Sequence, residues 1–375
     1  MILSLKVRLE PNDVQSSRLN QSAGTARFAY NWALGRQQEN YKNGGKFISD
    51  KDLRKEFTQL KNTEEYAWLY NYSNNITKQA IKDACIAYVN FFKGRAEKPN
   101  FKSRRKSKPK FYQDTDKMKF TETHVRVEKV GWIKLSEHGR IPQDSRYTNP
   151  RISYDGVNWY VSVGVESERE YYETTDVNVG IDLGLKDLAV CSNTDTPYKS
   201  INKTNKIKQL EKKKRRLQRK VSRKYHKNKK GESYVKTKNI IKLEKQIKKL
   251  HNRLDNIRND YRHKVTTEIV KTKPSCIVME CLNVSGMMKN RHLSKAIANQ
   301  GFFEFKKMIE YKCEKHGIQF IEADKWYPSS KTCSNCGHIK AKLSLSERIF
   351  SCESCGYEID RDKNASINLS RYKVS

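Results

Sequence analysis

The stretch VNVGIDLGLKDLAVCSN, residues 177–193, predicts two mostly apolar strands joined by a turn. Asp182 stands at the end of the first strand, between Gly180 and Gly184. An acidic side chain in this position is either a turn residue or a negative charge that the chemistry needs. The positions of the other acidic side chains in the chain decide between these two interpretations.

Further strands and helices follow this stretch in alternation. SCIVMECLNV (275–284) predicts a short buried strand ending at Glu280, and IQFIEAD (318–324) predicts another. The segments 203–268 and 291–317 have helical patterns. Alternating strands and helices predict an α/β fold for the C-terminal half.

The segment 203–268 is strongly basic and predicts an antiparallel helical hairpin. Its second half keeps a 3–4 spacing of apolar side chains, which is typical of a coiled-coil seam. This seam consists of Ile240, Leu243, Ile247, Leu250, Leu254, Ile257 and Tyr261. The pattern leaves open whether it closes within one chain or between two, so either a monomer or a dimer is compatible with it.

The N-terminal half combines strands with a helical segment. Residues 1–12 and 106–172 predict strands, including a hairpin that turns at Asp155-Gly156. Residues 13–105 are helical for most of their length and end in a basic, aromatic-containing stretch. Together they predict a small β-barrel or sheet that is interrupted by a helical insert.

The charge of the chain points to a polyanionic partner. Its 375 residues carry 76 Lys+Arg against 42 Asp+Glu, a formal charge of +34. Nucleic acid is the usual partner of such a surface. A membrane surface is the competing polyanion, but no basic amphipathic helix with an aromatic face is evident. Because the apolar runs are short and no signal peptide pattern is present, we expect an intracellular, cytoplasmic protein.

The basic stretch 94–112 is the candidate for a direct contact with nucleic acid. Arg104, Arg105 and Lys110 can meet phosphates there, and the neighbouring aromatic rings can stack on bases. A solvated linker is the alternative interpretation.

Four of the nine cysteines predict a metal site. Cys333-x-x-Cys336 and Cys352-x-x-Cys355 each form a pair, and a glycine directly follows each pair. Two such turns can close a tetrahedral site for Zn²⁺. Four thiolates leave no open position on the ion, so this zinc is expected to be structural. A redox role is the alternative for a single such pair, and the doublet favours the metal.

Four acidic residues are candidates for a second kind of metal site. Asp182 and Glu280 end apolar strands, and Asp360 and Asp362 begin the final helix. Hydrolysis of a phosphodiester with two Mg²⁺ ions needs carboxylates that converge from separate elements. Each residue also has a structural interpretation: a turn residue, an ion pair, or, for Asp360, a helix N-cap.

Four motifs in this order resemble the TnpB family, the transposon-encoded OrfB proteins related to type V CRISPR effector nucleases. The motifs are GIDLGLKDLAV, IVMECLNVSGM, the cysteine doublet led by WYPSSKTCSNCG, and CGYEIDRDKNASINL. ARFAYNWAL and PNFKSRRKSKPKF near the N-terminus are also similar to that family, so the resemblance covers nearly the whole chain.

The resemblance implies a multidomain α/β protein with a RuvC-like nuclease core of the RNase H fold. The implied divisions are a wedge-type β-barrel at 1–12 and 106–172, a helical recognition insert at 13–105, a RuvC-like core at 176–325 that includes the basic hairpin, a zinc ribbon at 326–357, and a final RuvC segment at 358–375.

The same resemblance implies an RNA-guided DNA endonuclease that binds a transposon-derived guide RNA and double-stranded DNA beside a short adjacent motif. Asp182 and Glu280 match the first and second catalytic carboxylates. Asp362 is the preferred third, with Asp360 as a cap or support. Cys281 is a departure, because family members often carry an aspartate there.

Two residues are candidates for reading the adjacent motif, and two other functions remain possible at this point. Lys78 and Gln79 resemble a family stretch that reads this motif, and an ordinary exposed helix face is the alternative. One rival function is a zinc-containing nucleic-acid-binding regulator without nuclease activity. The other is a transposase that joins transposon ends.

Overall fold

The computed structural model describes residues 1–344 and 346–373. Residue 345 of the expected zinc ribbon and residues 374–375 of the expected final segment lie outside the described residues. Two compact units are present, Met1–Ser167 and Glu168–Ser375.

In chain order the elements are β1 Ile2–Glu10, α1 Asp13–Lys42, α2 Asp50–Lys61, α3 Asn74–Phe92, β2 Lys110–Tyr112, β3 Lys119–Phe120, β4 His124–Val127, β5 Gly131–Leu135, β6 Tyr147–Tyr154, β7 Trp159–Glu166, β8 Asn178–Leu183, β9 Asp187–Cys191, β10 Tyr198–Lys199, α4 Asn205–Lys227, β11 Lys229–Lys230, β12 Ser233–Tyr234, α5 Lys238–Lys271, β13 Cys276–Met279, α6 Val284–Met287, α7 Ser294–Gln300, α8 Phe302–His316, β14 Gln319–Glu322, β15 Ile349–Ser351, β16 Glu358–Asp360 and α9 Arg361–Ser370. Short 3₁₀ helices occupy Glu64–Asn71 and Ile201–Lys203.

The first unit is built on a seven-stranded sheet in the order β2-β6-β7-β1-β5-β4-β3. The first strand runs antiparallel to β7 along its whole length, from Ile2 opposite Glu166 to Leu9 opposite Trp159. Val7 and Leu9 alternate inward and are buried in a core shared with α1, α2 and α3. The strand predicted within residues 1–12 is confirmed, and it ends at Glu10, directly before Pro11.

The expected closed β-barrel is not what the described residues form. The sheet is open, because β2 pairs with β6 alone and β3 with β4 alone among the strands described. These outer strands have only three and two residues. So short a pair offers too few backbone groups to close a barrel, and short edge strands are a common way to avoid unwanted pairing.

The predicted hairpin of this unit is confirmed. Strands β6 and β7 are antiparallel, with Tyr154 opposite Trp159. Gly156 has a positive φ of 94°. The Asp155 carboxylate accepts hydrogen bonds from the backbone N–H groups of Val157 and Asn158, 2.7 and 2.8 Å long. An Asp-Gly pair stabilises a tight turn in this way.

The second unit contains a five-stranded sheet in the order β10-β9-β8-β13-β14. Strand β9 is antiparallel to both of its neighbours, β10 and β8, whereas β8, β13 and β14 are parallel. Parallel strands end at the same edge of a sheet. The residues that follow β8, β13 and β14 therefore meet at one carboxyl edge.

The basic helices α4 and α5 pack against each other within the chain. The apolar seam therefore closes inside one molecule, with Ile207 and Val221 of α4 and Ile240, Leu250 and Leu254 of α5 buried. The helix predicted over 291–317 is two helices, because Gly301 takes a left-handed conformation with φ 69° between them.

One buried lysine lies between two of the helices. The Lys312 ammonium donates hydrogen bonds of 2.8, 2.6 and 2.7 Å to the His263 carbonyl and the Thr266 and Thr267 hydroxyls. Burial lowers the pKa of Lys312 to about 8. The three acceptors satisfy the ammonium, but the apolar surroundings still favour its neutral form.

The last helix, α9, lies directly on β8 at Gly180. A Cβ atom at Gly180 would stand 2.0 Å from the Ser366 carbonyl oxygen and 2.4 Å from the Ser370 backbone nitrogen. Only glycine permits this approach, which brings the first turn of α9 to the carboxyl edge of the sheet.

Candidate active site and metal centre

Asp182 and Glu280 meet at the carboxyl edge of the second sheet. Ile181 pairs with Met279 across the parallel strands, so the next residues, Asp182 and Glu280, are neighbours. Their side chains share a hydrogen bond, and the Leu183 backbone N–H also binds the Glu280 carboxylate.

The electrostatics of this pair are those of acids crowded in a poorly hydrated place. Burial, and then the charges of Glu280 and Asp362, hold the pKa of Asp182 well above its usual range. Burial also raises the pKa of Glu280, against the opposing effect of its hydrogen bonds to Asp182 and Leu183. Uncompensated carboxylates of this kind require a proton or a cation nearby.

Asp362 brings a third carboxylate from α9. Its charge raises the pKa of both Asp182 and Glu280, so it faces the pair. It is held by Arg361, whose guanidinium lies 3.2 Å away, and more loosely by Arg348 at 3.9 Å. Three acids from three separate elements thus act on one another through their charges, although within the described residues their oxygen atoms do not all lie within 4.8 Å of one another. Sequence reasoning missed the two arginines, although Arg361 stands inside the DRD motif itself.

Asp360 has a different role from Asp362. Its carboxylate accepts hydrogen bonds from the Asp362 and Lys363 backbone N–H groups, 3.0 and 3.1 Å long, and so caps α9. An N-cap aspartate satisfies donors that the first helical turn leaves unpaired.

Lys363 anchors the first turn of α9 to the sheet. Its ammonium donates to the backbone carbonyls of Cys191, Ser192 and Thr194 at 3.2, 3.0 and 2.7 Å. These carbonyls follow β9, the neighbour of β8. The contact fixes the helix end that carries Asp362.

Cys281, the departure from the family pattern, points away from the three acids. It forms a hydrogen bond with Glu322, which raises the pKa of the Cys281 thiol. Neighbouring residues of an extended chain face opposite sides, so the substitution leaves the acidic site unchanged.

The four predicted cysteines come together in one cluster. The sulfur atoms of Cys333, Cys336, Cys352 and Cys355 all lie within 4.8 Å of one another. Among the residues that the structure describes, these four cysteines are the group whose ligand atoms lie close enough together to hold one metal ion. Four sulfur donors at this spacing suit a tetrahedral ion such as Zn²⁺.

Two equivalent turns build this cluster. In the first, the Cys333 N–H donates to the His338 carbonyl at 2.8 Å and the Gly337 N–H to the Cys333 carbonyl at 2.9 Å. The second repeats this pattern from Cys352, with bonds of 2.9 and 3.0 Å. The glycine that follows each pair, Gly337 and Gly356, has a positive φ of 79° and 69°.

Two buried asparagines tie the cysteine cluster to α9, and sequence reasoning missed them. Asn364 accepts from the Ser334 N–H at 2.9 Å and donates to the Thr332 carbonyl at 2.7 Å. Asn368 donates to the Ser329 carbonyl at 2.7 Å. Their spacing in KNASINL, four residues apart on one helix face, is the signal that could have found them.

Lys78 and Gln79 of α3 differ in their freedom to reach a ligand. Lys78 is exposed, whereas Gln79 is half-buried. The Gln79 side-chain N–H donates to Asp83 at 2.8 Å, and Asp83 is in turn bound by both terminal nitrogens of Arg151. The Gln79 amide is therefore oriented by tertiary contacts.

Arg104, Arg105 and Lys110 are all exposed in the first unit. The first two lie in a turn, and Lys110 begins β2. As for membranes, no helix in the described residues has the length and apolar character that a span requires.

The structure is similar in fold to a protein solved in complex with RNA and DNA. The neighbour is a protein solved in "Cryo-EM structure of the Cas12f1-sgRNA-target DNA complex". The superposition has a TM-score of 0.53 at 14% sequence identity, and it covers 99% of this chain and 98% of the neighbour. This likeness concerns the fold alone, which is a multidomain mixture of helices and sheets.

The sequence matches known families and curated relatives. Residues 161–291 match a transposon OrfB family described as "Probable transposase", residues 302–369 a Cas12f1-like TNB domain, and residues 1–46 a helix-turn-helix domain. In the structure, residues 1–46 form β1 and the single long helix α1.

Two relatives extend over nearly the whole chain. A protein of Escherichia coli (strain K12) named "Putative RNA-guided DNA endonuclease InsQ" is 32% identical over 98% of this chain and 91% of its own length. One of Streptomyces pristinaespiralis, named "Putative RNA-guided DNA endonuclease", is 30% identical over 98% and 88%. The chain belongs to the TnpB family.

Proposed function

We propose that this protein is an RNA-guided DNA endonuclease of a mobile element. It cuts double-stranded DNA complementary to a transposon-derived guide RNA, next to a short adjacent motif. The observation that carries the proposal is that Asp182 and Glu280 are neighbours at the carboxyl edge of the second sheet, with the charge of Asp362 acting on both. The names of the full-length relatives support the same activity.

The nuclease core is of the RuvC type, with an RNase H fold. In support, the five strands β8, β9, β10, β13 and β14 follow the spatial order third, second, first, fourth, fifth, with the first three antiparallel and the others parallel. The domain divisions implied by the resemblance form part of this proposal, with an open sheet in place of the barrel.

Asp182, Glu280 and Asp362 would hold two Mg²⁺ ions. The donor set fits, because carboxylate oxygens are the ligands that Mg²⁺ prefers and crowded, buried acids need positive charge. Mg²⁺ bound there supplies activation of a water molecule and stabilisation of the leaving oxygen. The chain itself positions the acids: Lys363 and the Asp360 cap hold the first turn of α9, and Arg361 holds Asp362.

The cysteine cluster would hold a structural Zn²⁺ ion. Its four thiolates leave no position for a substrate, so the ion has no catalytic role. Asn364 and Asn368 connect the cluster to α9, so the metal would stabilise the helix that carries Asp362.

Basic surfaces in each of the two units would hold the guide RNA and the RNA–DNA heteroduplex through their backbones. The outward faces of α4 and α5 and the exposed Arg104, Arg105 and Lys110 provide this charge. Base pairing, and not side chains, then supplies most of the sequence choice. Lys78 and Gln79 are the proposed readers of the adjacent motif.

A guided cleavage assay tests the proposal. The protein is expressed with the DNA that flanks its gene, the copurified RNA is sequenced, and a matching DNA is offered with Mg²⁺. We expect cutting that requires both the RNA and the match, and that is lost in Asp182→Asn. Guided occupancy with both strands intact would instead identify a binding regulator, and joining of transposon ends without RNA a transposase.

A further inference from the structure

Gln300, the last residue of α7, has a buried side-chain amide that is bound at both ends. The residue is 4% exposed. Its Oε1 atom accepts hydrogen bonds from the Ser200 hydroxyl and from the Asn202 amide, each 2.9 Å long. Its Nε2 atom donates to the Gly184 backbone carbonyl at 2.7 Å. An amide that is satisfied on both sides in this way is held in one orientation.

The bond from Gln300 to Gly184 ends beside the acidic site. Gly184 opens the turn between β8 and β9, two residues after Asp182. Leu183, which stands between them, donates its backbone N–H to the Glu280 carboxylate. Of the two residues that follow Asp182, one therefore binds Glu280 and the next is bound by Gln300. A shift of this turn would move Asp182 relative to Glu280.

The orientation of the Gln300 amide is set by an ion pair further from the site. The Nε atom of Arg258 donates to the Asn202 side-chain oxygen at 2.8 Å, and a terminal nitrogen of Arg258 donates to Glu211 at 3.1 Å. Because arginine can only donate, the Asn202 oxygen must face Arg258 and the Asn202 nitrogen must face Gln300. Gln300 then turns its oxygen to Asn202 and its nitrogen to the Gly184 carbonyl.

This chain of hydrogen bonds is anchored where little water enters. The side chains of Arg258 and Glu211 are 7% and 13% exposed. Burial by itself raises the pKa of Glu211, but the hydrogen bonds from Lys214 and Arg258 outweigh it and lower that pKa below its usual value. The Gln300 backbone is held as well, because Arg262 of α5 donates to its carbonyl at 3.1 Å. A satisfied buried network of this kind makes the position of its members rigid.

A second buried glutamine separates a role at the acidic site from a purely structural role. Gln37 of α1 is 5% exposed. Its amide donates to the Ile48 carbonyl at 2.6 Å and accepts from the Ile48 N–H at 3.1 Å. Gln37 therefore also fixes a loop through a backbone carbonyl, but it lies in the first unit, which carries none of the three acids.

We propose that Gln300 is a positioning residue of the acidic site. By binding the Gly184 carbonyl it fixes the turn after β8, so that Asp182 and Glu280 are presented together to a divalent cation. This inference rests on the proposed nuclease function and adds to it a residue other than the carboxylates. Gln300 acts through the backbone of Leu183 and Gly184 and touches neither the ion nor the DNA.

Binding of Mn²⁺ tests the positioning without RNA, DNA or cutting. Mn²⁺ takes the same oxygen ligands as Mg²⁺, and its binding to the full chain can be followed by electron paramagnetic resonance. The site of interest is the one that Asp182→Asn removes. Gln300→Met keeps the length of the side chain but removes its donor. It should weaken this site about tenfold, since residues that support metal ligands are worth about ten- to hundredfold in affinity.

Gln37→Met is the matched control. It should lower the Tm, as Gln300→Met does, but leave the Mn²⁺ affinity native. An unchanged affinity in Gln300→Met, or an equal fall in both variants, overturns the proposal. If Gln300→Met does not fold, Ser200→Ala takes its place, because it removes one of the two hydrogen bonds to the Gln300 oxygen. This variant should show a smaller fall in affinity, and native affinity there also overturns the proposal.

The dependence of guided cleavage on Mg²⁺ tests the role in the reaction. Gln300→Met should need about tenfold more Mg²⁺ for half-maximal cutting, with an unchanged KM for DNA. A higher KM with native Mg²⁺ dependence contradicts the positioning. If the native protein cuts nothing, the proposed function fails, whereas the Mn²⁺ titration still decides whether Gln300 positions the acids. Mn²⁺ binding that Asp182→Asn leaves unchanged overturns the metal site, and this inference with it.

Discussion

Replacing Gly180 by alanine should displace α9 and with it Asp362. The new Cβ would lie 2.0 Å from the Ser366 carbonyl oxygen and 2.4 Å from the Ser370 nitrogen. Ordinary contact begins near about 3.4 Å, so the helix backbone must retreat by roughly 1.4 Å. Overpacking typically costs about 1–3 kcal/mol, and a clash with helix backbone belongs at the upper end. The backbone of Gly180 is not left-handed, so the cost is steric alone.

Thermal unfolding measures this cost. For a domain of about 200 residues, 3 kcal/mol lowers the Tm by roughly 6–12 °C. Guided cleavage should fall by more than the folded fraction does, because Asp362 moves away from Asp182. Gly35→Ala is the control, since a Cβ at Gly35 in α1 meets nothing within 4 Å. A Gly180→Ala protein with native Tm and native cutting would refute the close packing of α9 on β8.

Three further predictions concern the metal, the pH and the salt. Elemental analysis should find one zinc in the native protein; Cys355→Ala should lose it and have a lower Tm, whereas Cys281→Ala should keep it, and equal zinc in both variants would contradict the cluster. The folded-state pKa of Lys312 is lowered to about 8 from the unfolded value of 10.5, so its burial costs stability below pH 8, and this cost disappears as the pH rises toward 10.5. The unfolding free energy of the native protein, minus that of Lys312→Met, should therefore increase between pH 7.5 and about 10, and a flat difference would contradict the shift. Replacing both Arg104 and Arg105 by alanine should reduce the slope of log affinity for guide RNA against log salt by about 1 to 2; an unchanged slope would show that these arginines contact no phosphate.

The parts of the fold that were predictable from sequence depend on local chemistry. The two cysteine turns follow from residue spacing and a glycine after each pair, and the Asp155-Gly156 hairpin follows from turn preferences alone. The apolar strands that end at Asp182 and Glu280 are also local patterns. Their meeting at one edge was expected from the family resemblance and follows in the structure from parallel pairing.

The parts that sequence reasoning missed depend on tertiary contacts. The helix break at Gly301 was hidden because the apolar pattern continues across it. The open sheet was not predicted, because its outer strands β2 and β3 have only three and two residues and leave no clear pattern in the sequence. Gln79 donates directly to Asp83, one turn further along the same helix. Asp83 is in turn bound by Arg151, which is 68 residues away in the chain, so this part of the network depends on tertiary structure.

The difference between Asp360 and Asp362 was left open by the sequence and is the sharpest consequence of the structure. The two carboxylates are two residues apart, yet one binds backbone N–H groups of α9 and the other faces Asp182 and Glu280. Local pattern cannot separate these roles, because both positions favour acids at a helix start.

Guided DNA cleavage by Asp360→Asn and Asp362→Asn, measured side by side, tests the central claim. Asparagine caps a helix about as well as aspartate, so Asp360→Asn should cut within a few-fold of the native rate. Asp362→Asn removes a carboxylate from the acidic site and should cut at least about a thousandfold more slowly, since such charge stabilisation is worth several kcal/mol. Both should bind guide RNA normally. Native cutting by Asp362→Asn would contradict the assignment of the acidic site.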